Sequence, residues 1–254
     1  MIAITGCARS GTTALCEVFN TDQRILVLNE IGWLTRWETN ISDRLTNVSL
    51  SKNARPQFKK NRAFLQNKNL NPDKIVNLSI KNKWTGKDLY SYIVKNTTAE
   101  IIGDKMPLEY VNDLDKLTKK FKDTKFIILI RDGRSVISSQ IENWSEDSLD
   151  HWTRPNIEEA EYLWLNQTIN LQDRVSKLSA QEASRVLLVR YEALVVEPDR
   201  ILKVISDFVG LDPPIKNNDL IKPVFTDKWK AKFPDMMNRL SADFKSYLKK
   251  LGYY

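Results

Sequence analysis

The sequence is poor in cysteine and histidine, and it contains no long hydrophobic run. Its two cysteines, Cys7 and Cys16, are too few for a disulfide framework. They are typical of buried thiols in a reducing compartment, with a reactive Cys7 as the alternative. No apolar run approaches the roughly 20 residues of a membrane-spanning helix, so we expect no membrane span. The first apolar run begins at Ile2, which leaves no room for a signal peptide, and the expected location is cytoplasmic.

The composition is that of a globular protein, with 42% hydrophobic and 28% charged residues in a chain of 254. This length predicts a single domain over residues 1–254. The net charge is +7, and the densest basic stretch lies within residues 52–68. We interpret that stretch as a solvated helix face, or else as a surface for an acidic acceptor. No motif of interleaved aromatic and basic residues accompanies it, so a nucleic-acid partner is not expected.

Apolar runs alternate with helical patterns along the whole chain. After the run that begins at Ile2, such runs cover residues 25–28, 100–103, 126–130 and 186–189. This alternation predicts an α/β fold, a P-loop-like parallel sheet flanked by helices on both faces. Between the runs, the spacing of Trp33, Leu34 and Trp37 predicts a helix, and residues 40–83 read as short helices and loops.

Polar clusters follow the apolar runs directly, at the point where each predicted strand ends. The carboxyl ends of parallel strands meet at one edge of a sheet, where ligands bind in open α/β folds. We therefore expect these clusters to converge on one site. They are Gly6–Thr13, Glu30, Asp104–Lys105, Arg131–Ser139 and Tyr191.

The cluster after the first run is a tight loop that leads into a helix, a geometry that favours anion binding at the helix N-terminus. A phosphate loop has the pattern G-x-x-x-x-G-K-[ST], but here Thr12 and Thr13 follow Gly11. The only cation in the loop is Arg9, on the near side of Gly11. The missing lysine argues against ATP hydrolysis and kinase chemistry.

Three segments together resemble the sulfotransferases that use 3′-phosphoadenosine 5′-phosphosulfate (PAPS). Residues 7–13, CARSGTT, are similar to the 5′-phosphosulfate loop of that family, and residues 130–139, IRDGRSVISS, to its 3′-phosphate segment. Residues 189–195, VRYEALV, resemble the strand and turn beside the adenine. Near the carboxyl end, residues 221–224, 228–229 and 251–253 most resemble the protein-tyrosine sulfotransferases. Residues 38–100 and 144–185 resemble no motif of the family.

The resemblance implies that PAPS is the co-substrate and that no metal takes part. Arg131 and Ser139 would then hold the 3′-phosphate, although Arg131 could instead form a surface ion pair with Asp132. Backbone amides and hydroxyls of the first loop would hold the 5′-phosphate, with Arg9 at the sulfonate. The implied nucleotide-binding residues are Arg9, Ser10, Gly11, Thr12, Thr13, Arg131, Ser139, Tyr191, Lys228 and Trp229.

The implied catalytic residues are Glu30, Lys105 and Arg9. The acceptor hydroxyl needs a general base, and no histidine follows Lys105 as it does in the cytosolic small-molecule enzymes. Glu30 follows a strand as the catalytic glutamate of protein-tyrosine sulfotransferases does, and His151 is the alternative base. As an alternative, Glu30 is a carboxylate that only stabilises the N-terminus of a helix through the helix dipole. For Lys105, the alternative is a solvated lysine that forms an ion pair with Asp104.

The acceptor is expected to carry a hydroxyl group, with a small phenol or alcohol favoured over a tyrosyl or glycan group. Tryptophans either line an apolar acceptor pocket or belong to the core. They are Trp33, Trp37, Trp84, Trp144 and Trp152. Two other functions stay open, a P-loop nucleotide kinase and a non-catalytic module that binds nucleotides or polyanions.

Overall fold

The structure, a computed structural model, describes residues 1–52, 56–142, 155–217, 219–222 and 228–253. Its centre is a sheet of five strands in the order β2-β3-β1-β4-β5, and every neighbouring pair is parallel. The strands are β1 (Ile2–Gly6), β2 (Ile25–Asn29), β3 (Ile101–Lys105), β4 (Lys125–Ile130) and β5 (Val186–Arg190). The predicted parallel α/β sheet is therefore confirmed.

Helices connect the strands and follow the last one. Those before β3 are α1 (Thr12–Thr21), α2 (Ser42–Arg44), α3 (Pro56–Gln66), α4 (Pro72–Lys81) and α5 (Gly86–Asn96). Those between β3 and β5 are α6 (Glu109–Asn112), α7 (Leu114–Lys120), α8 (Gly133–Glu142), α9 (Ile157–Ser176) and α10 (Ala180–Ala183). After β5 come α11 (Tyr191–Val196), α12 (Pro198–Val209), α13 (Lys228–Lys232), α14 (Met236–Arg239) and α15 (Ala242–Lys250). One π-helical turn, Leu45–Ser49, continues α2.

Alternate residues of each strand point to opposite faces of the sheet, and helices bury both faces along β1, β2, β3 and β4. The edge strand β5 is less buried, with Leu188 47% exposed. Ala3 packs into one core with Trp33, Tyr110 and other side chains of the helices on that face. Its neighbours Ile2 and Ile4 pack into a second core with α1, α11 and α12. A third cluster joins α8, α9 and α15 around the rings of Trp164 and Phe244.

The strand register aligns the carboxyl ends that carry the polar clusters. Ile4 of β1 pairs with Lys105 of β3, and Lys105 in turn pairs with Asn29 at the end of β2. On the other side, Gly6 pairs with Leu129 and Ile130 pairs with Arg190. The loops after β1, β2, β3, β4 and β5 thus leave the sheet at one edge.

Two local predictions were wrong. The apolar positions at Trp33 and Trp37 lie in a series of turns rather than in a helix. Glu30 and Gly32 have left-handed backbones, with φ of 58° and 73°, and the amides of Ile31 and Gly32 donate to the Asp104 carboxylate instead of starting a helix. The strand predicted for residues 100–103 extends to Lys105. The expectation of short helices in residues 40–83 is confirmed.

In the described part of the chain, no helix is both long and apolar enough to cross a bilayer. Cys7 and Cys16 are buried and form no disulfide. Burial raises the pKa of Cys7 to about 11 and that of Cys16 to about 12. Since the thiolate is the nucleophile, these values argue against the reactive Cys7 considered above.

Candidate active site

The loop after β1 needs glycine at two positions, Gly6 and Gly11. Gly6 has a φ of 148°, and a Cβ atom there would lie 2.4 Å from the Leu129 carbonyl oxygen. Gly11 has a φ of 90°, and a Cβ atom there would lie 2.3 Å from the Tyr191 ring. Helix α1 starts at Thr12 with Gly11 as its N-cap, and no side chain caps it. The first amides of α1 therefore remain available for a ligand.

Ser10 gives an independent indication that the loop takes a ligand. Its hydroxyl is buried and has no hydrogen-bond partner among the described residues. Because buried polar atoms are nearly always paired, such an atom next to a helix N-terminus is compatible with a group that binds there. An anion with several acceptor oxygens, such as the 5′-phosphate of PAPS, fits this donor set.

Two guanidinium groups lie beside the loop. Arg131 is only 8% exposed, donates from Nη1 to the Arg9 carbonyl oxygen at 2.9 Å, and stacks on Tyr191 at 4.4 Å. Arg9 donates from Nε to the Ser139 hydroxyl at 3.1 Å. Arg9 keeps exposed surface, but the protein around its guanidinium lowers its pKa, and repulsion from Arg131 lowers it further. An anion between the two groups would relieve that repulsion.

A cavity of about 300 Å³ opens beside the guanidinium groups. It is lined by Arg9, Arg131, Ser135, Ser138, Ser139, Glu142, Tyr191, Lys228 and Trp229. The structure thus brings together six of the predicted nucleotide-binding residues. Ser10, Gly11, Thr12 and Thr13 form the adjoining turn and helix start.

Sequence reasoning missed three residues of this lining, Ser135, Ser138 and Glu142. With Ser139 they occupy one face of α8 at spacings of three and four, which is a signal that the sequence does contain. The Ser138 hydroxyl donates to Glu142 at 2.7 Å, and Lys232 pairs with the other carboxylate oxygen of Glu142. This ion pair offsets the negative charge that Glu142 brings to the cavity.

Glu30 and Lys105 form an ion pair at the ends of β2 and β3. The Lys105 side chain is 1% exposed, and its Nζ donates to Glu30 Oε1 at 2.6 Å. The Glu30 side chain is 25% exposed, so solvent reaches the carboxylate but not the ammonium group. The alternative of a solvated Lys105 bridged to Asp104 is wrong. Coulombic attraction from Glu30 also acts on Arg9, so the pair lies close to the first loop.

Asp104, which precedes Lys105 in β3, is the buried carboxylate next to this pair. It is fully buried and accepts hydrogen bonds from the amides of Ile31 at 3.1 Å and Gly32 at 2.6 Å, and from the Tyr110 hydroxyl at 2.6 Å. Burial raises the pKa of Asp104 to about 6, because none of these donors is charged and the carboxylate loses its water. Asp104 therefore holds the turn that follows Glu30.

The carboxyl-terminal residues support the segment after Arg131. Glu192 accepts from the Asp132 amide at 2.8 Å and from the Tyr253 hydroxyl at 3.2 Å. Arg190 stacks on the Tyr253 ring at 4.8 Å, and Arg134 donates to the Tyr253 carbonyl oxygen at 2.6 Å. The partner of Asp132 is Arg134, at 2.6 Å, and not the Arg131 considered above.

The remaining predicted residues have different positions. Trp229 is 6% exposed and lies under Arg134 at 4.7 Å, whereas Lys228 is exposed at the cavity. Trp33 is fully buried in the core, and Trp37 and Trp84 pack against that core. His151, Trp144 and Trp152 lie outside the described residues. Within the described ranges, no group of three or more metal-ligating side chains occurs.

The chain is similar to a known protein family in sequence and to several solved proteins in structure. A model described as the sulfotransferase family matches residues 2–214. The sulfotransferase domain from the curacin biosynthetic pathway superposes with a TM-score of 0.70 at 22% identity, covering 100% of this chain and 98% of that one. The sulfotransferase domain from the olefin synthase of Synechococcus PCC 7002 gives 0.66 at 24% identity, with 91% and 87% covered. Sulfotransferase STF9 from Mycobacterium avium gives 0.53 at 14% identity, with 98% and 76% covered.

The raised pKa of Asp104 predicts a specific pH dependence of stability. The unfolded chain releases this proton near pH 3.8 and the folded protein near pH 6, so the folded state binds more protons between these values. Stability due to Asp104 therefore falls as pH rises through this window, by roughly 3 kcal/mol for the full shift. The measurement is the free energy of urea unfolding from about pH 4 to about pH 7, for wild type and Asp104→Asn.

The advantage of wild type over Asp104→Asn should shrink as pH rises. Substitution of the exposed Asp243 by asparagine is the control, with a constant difference from wild type across the same range. Parallel curves for wild type and Asp104→Asn would contradict the assigned burial effect.

Proposed function

This chain belongs to the sulfotransferase family, and we propose that it moves a sulfuryl group from PAPS to a hydroxyl group of an acceptor. The observation that carries the proposal is the anion site after β1, where the unpartnered Ser10 hydroxyl and the start of α1 lie beside Arg9 and Arg131. The family match covers the elements that build this site.

The donor is proposed to bind along the cavity. The amides of Gly11 to Thr13 and the threonine hydroxyls hold the 5′-phosphate, and Arg131 presents a buried planar fork to the 3′-phosphate. The Ser10 amide donates to the Cys7 carbonyl oxygen at 3.2 Å, so its part in holding the 5′-phosphate requires that the ligand replace this bond. Ser139 supplies a second donor for the 3′-phosphate. Because Arg9 already donates to Ser139, the proposal requires that donor binding replace this bond before Arg9 reaches the sulfonate. Tyr191, Lys228 and Trp229 would close the nucleotide end.

Glu30 is proposed as the general base. Lys105 donates to Oε1 of this carboxylate, which leaves Oε2 to accept the proton of the acceptor hydroxyl. As the acceptor oxygen forms its bond to sulfur, the bond from sulfur to the phosphate oxygen breaks. Adenosine 3′,5′-bisphosphate leaves. Lys105 and Arg9 stabilise the negative charge on the transferred group and the leaving phosphate, an effect that burial of Lys105 strengthens.

The acceptor is proposed to be a small phenol or alcohol, with a tyrosyl or glycan hydroxyl as the alternative. The resemblance to the protein-tyrosine enzymes rests on Glu30 and the tail, and the acceptor-facing stretches do not follow it. We propose no metal and no nucleic-acid partner, and a cytoplasmic location consistent with two buried free thiols.

A nucleotide kinase and a non-catalytic binding module are weaker alternatives. The loop lacks the lysine of phosphate loops. The intact pair of Glu30 and Lys105 speaks only weakly against a module without catalysis, since a buried ion pair also has a structural role. Magnesium-dependent turnover of ATP would favour the kinase, and tight nucleotide binding without any transfer would favour the module.

Binding of adenosine 3′,5′-bisphosphate tests the donor assignment. We expect Arg131→Ala to weaken this binding about 10- to 100-fold, since a charge-assisted hydrogen bond is lost. Affinity for adenosine 5′-monophosphate should change little, because it lacks the 3′-phosphate. Ser139→Ala should have a smaller effect in the same direction. Titration calorimetry on both nucleotides measures these differences.

The matched control is Arg239→Ala, which removes a 51% exposed arginine that pairs with Glu158 outside the cavity. It should leave both affinities unchanged. Wild-type protein that does not bind the bisphosphate, or binds it no better than the monophosphate, would refute PAPS as the donor.

Transfer of radiolabelled sulfate from PAPS to a panel of phenols and alcohols tests the reaction itself. We expect Glu30→Gln to lose about 10²- to 10⁴-fold in turnover, because the proton acceptor is gone. Glutamine can still accept the hydrogen bond from Lys105, and we expect affinity for the bisphosphate to persist. Persistent affinity shows that loss of the charged partner of Lys105 has not unfolded the variant. Glu38→Gln, which alters an exposed glutamate paired with Lys120, is the control. Retained turnover in Glu30→Gln would return the role of base to His151 or another residue.

A further inference from the structure

The geometry points to Arg44 as the residue that positions Glu30, by holding its carbonyl oxygen and thereby its unusual backbone conformation. Arg44 is the last residue of α2. This inference rests on the proposed role of Glu30 as the base. It assigns Arg44 no contact with the donor or the acceptor.

Glu30 has a backbone that needs external support. Its φ of 58° lies in the left-handed region, which residues with a Cβ adopt only at a cost in energy. Such a conformation persists only where the surrounding contacts determine it, and it is common at functional sites. The direction of the Glu30 carboxylate depends on this φ, because rotation about it would turn the side chain away from Lys105.

Arg44 makes two hydrogen bonds to the Glu30 carbonyl oxygen. Its Nε and Nη2 donate to the Glu30 carbonyl oxygen at 3.1 and 2.7 Å. The Ser49 hydroxyl donates to the same oxygen at a longer 3.4 Å. Two charged donors from one planar group fix both the position and the direction of a carbonyl. The Glu30 amide is held separately, by the Lys105 carbonyl oxygen at 2.6 Å.

The residues on either side of Glu30 are fixed by other side chains. Asn61 of α3 is fully buried, accepts from the Asn29 amide at 2.6 Å and donates to the Asn29 carbonyl oxygen at 2.8 Å. Asp104 holds the amides of Ile31 and Gly32. Asn61 and Asp104 are thus parts of the core, whereas Arg44 is half-buried. Arg44 is therefore the member of this set that can be changed with the least effect on packing.

The decisive variants are Arg44→Ala and Arg44→Lys. In Arg44→Ala we expect kcat for sulfate transfer to fall about 10- to 100-fold, as misplacement of a catalytic group by about 1 Å costs this much. The KM for PAPS and the affinity for adenosine 3′,5′-bisphosphate should stay at wild-type values. Arg44→Lys keeps a charged donor but not the fork, and should recover part of kcat.

Arg62→Ala is the matched control. Arg62 also donates to a main-chain carbonyl of this layer, that of Leu50 at 2.9 Å, and does not contact Glu30. It should keep the wild-type kcat. If the two alanine variants lose kcat equally, Arg44 has only a general structural role and the inference is overturned.

Hydrogen exchange supplies a readout that needs no turnover. Peptides that cover residues 29–32 should exchange faster in Arg44→Ala than in wild type and in Arg62→Ala, while peptides from β1 stay unchanged. If Arg44→Ala does not fold, Arg44→Lys is compared in the same way. Unchanged exchange together with unchanged kcat would overturn the inference.

The proposed function fails in a different way. Wild type without transfer, or Glu30→Gln with full transfer, would refute the role of Glu30 whatever Arg44 does. Accelerated exchange in Arg44→Ala would in that case still support its hold on the Glu30 backbone, but not its part in the reaction. Active wild type, inactive Glu30→Gln and fully active Arg44→Ala would refute only the role of Arg44.

Discussion

The ion pair between Glu30 and the buried Lys105 is the interaction on which the candidate site depends. An ammonium group that is 1% exposed needs an anionic partner in direct contact, since an unpaired buried charge costs several kcal/mol. The partner reaches it because Asn29 and Lys105 pair across β2 and β3 and the chain then turns back at Glu30. Three further features keep the Glu30 carboxylate against Lys105. They are the left-handed backbone of Glu30, the hydrogen bonds to Asp104 and the two hydrogen bonds from Arg44.

The other half of the site has the opposite charge balance. Arg9 and Arg131 lie close enough to repel one another, and the Ser10 hydroxyl is buried without a partner among the described residues. Both features destabilise the protein without a ligand, and a bound anion would remove the repulsion and accept a hydrogen bond from Ser10. In the first half, the protein satisfies its own buried charge. In the second half, an anionic ligand would complete the charge balance, which is the arrangement expected of a site for a phosphorylated nucleotide.

The sequence allowed the sheet and most of the candidate site to be predicted. Apolar runs followed by polar clusters locate Arg9, Glu30, Lys105 and Arg131, because parallel strands end at the same edge. The resemblance to the family assigned roles to them. The turns around Trp33 were not predicted. Trp33, Leu34 and Trp37 are spaced like one face of a helix because all three contact the core, and a series of turns can place them there equally well. The contact from Arg44 to Glu30 could not be predicted from the sequence, because it depends on how α2 and the π-helical turn pack against the end of β2.

The two halves of the site are supported by different parts of the chain. The segment after Arg131 is held by Glu192 and Tyr253, and so by residues that follow β5. Glu30 is held by Arg44, and its neighbour Asn29 is held by Asn61. Both side chains come from the segment between β2 and β3. These supports share no residue, so each half of the site is held in place independently of the other. A change in the segment around α2 and α3 is therefore expected to act on Asn29 and Glu30, and not on the contacts that hold the segment after Arg131.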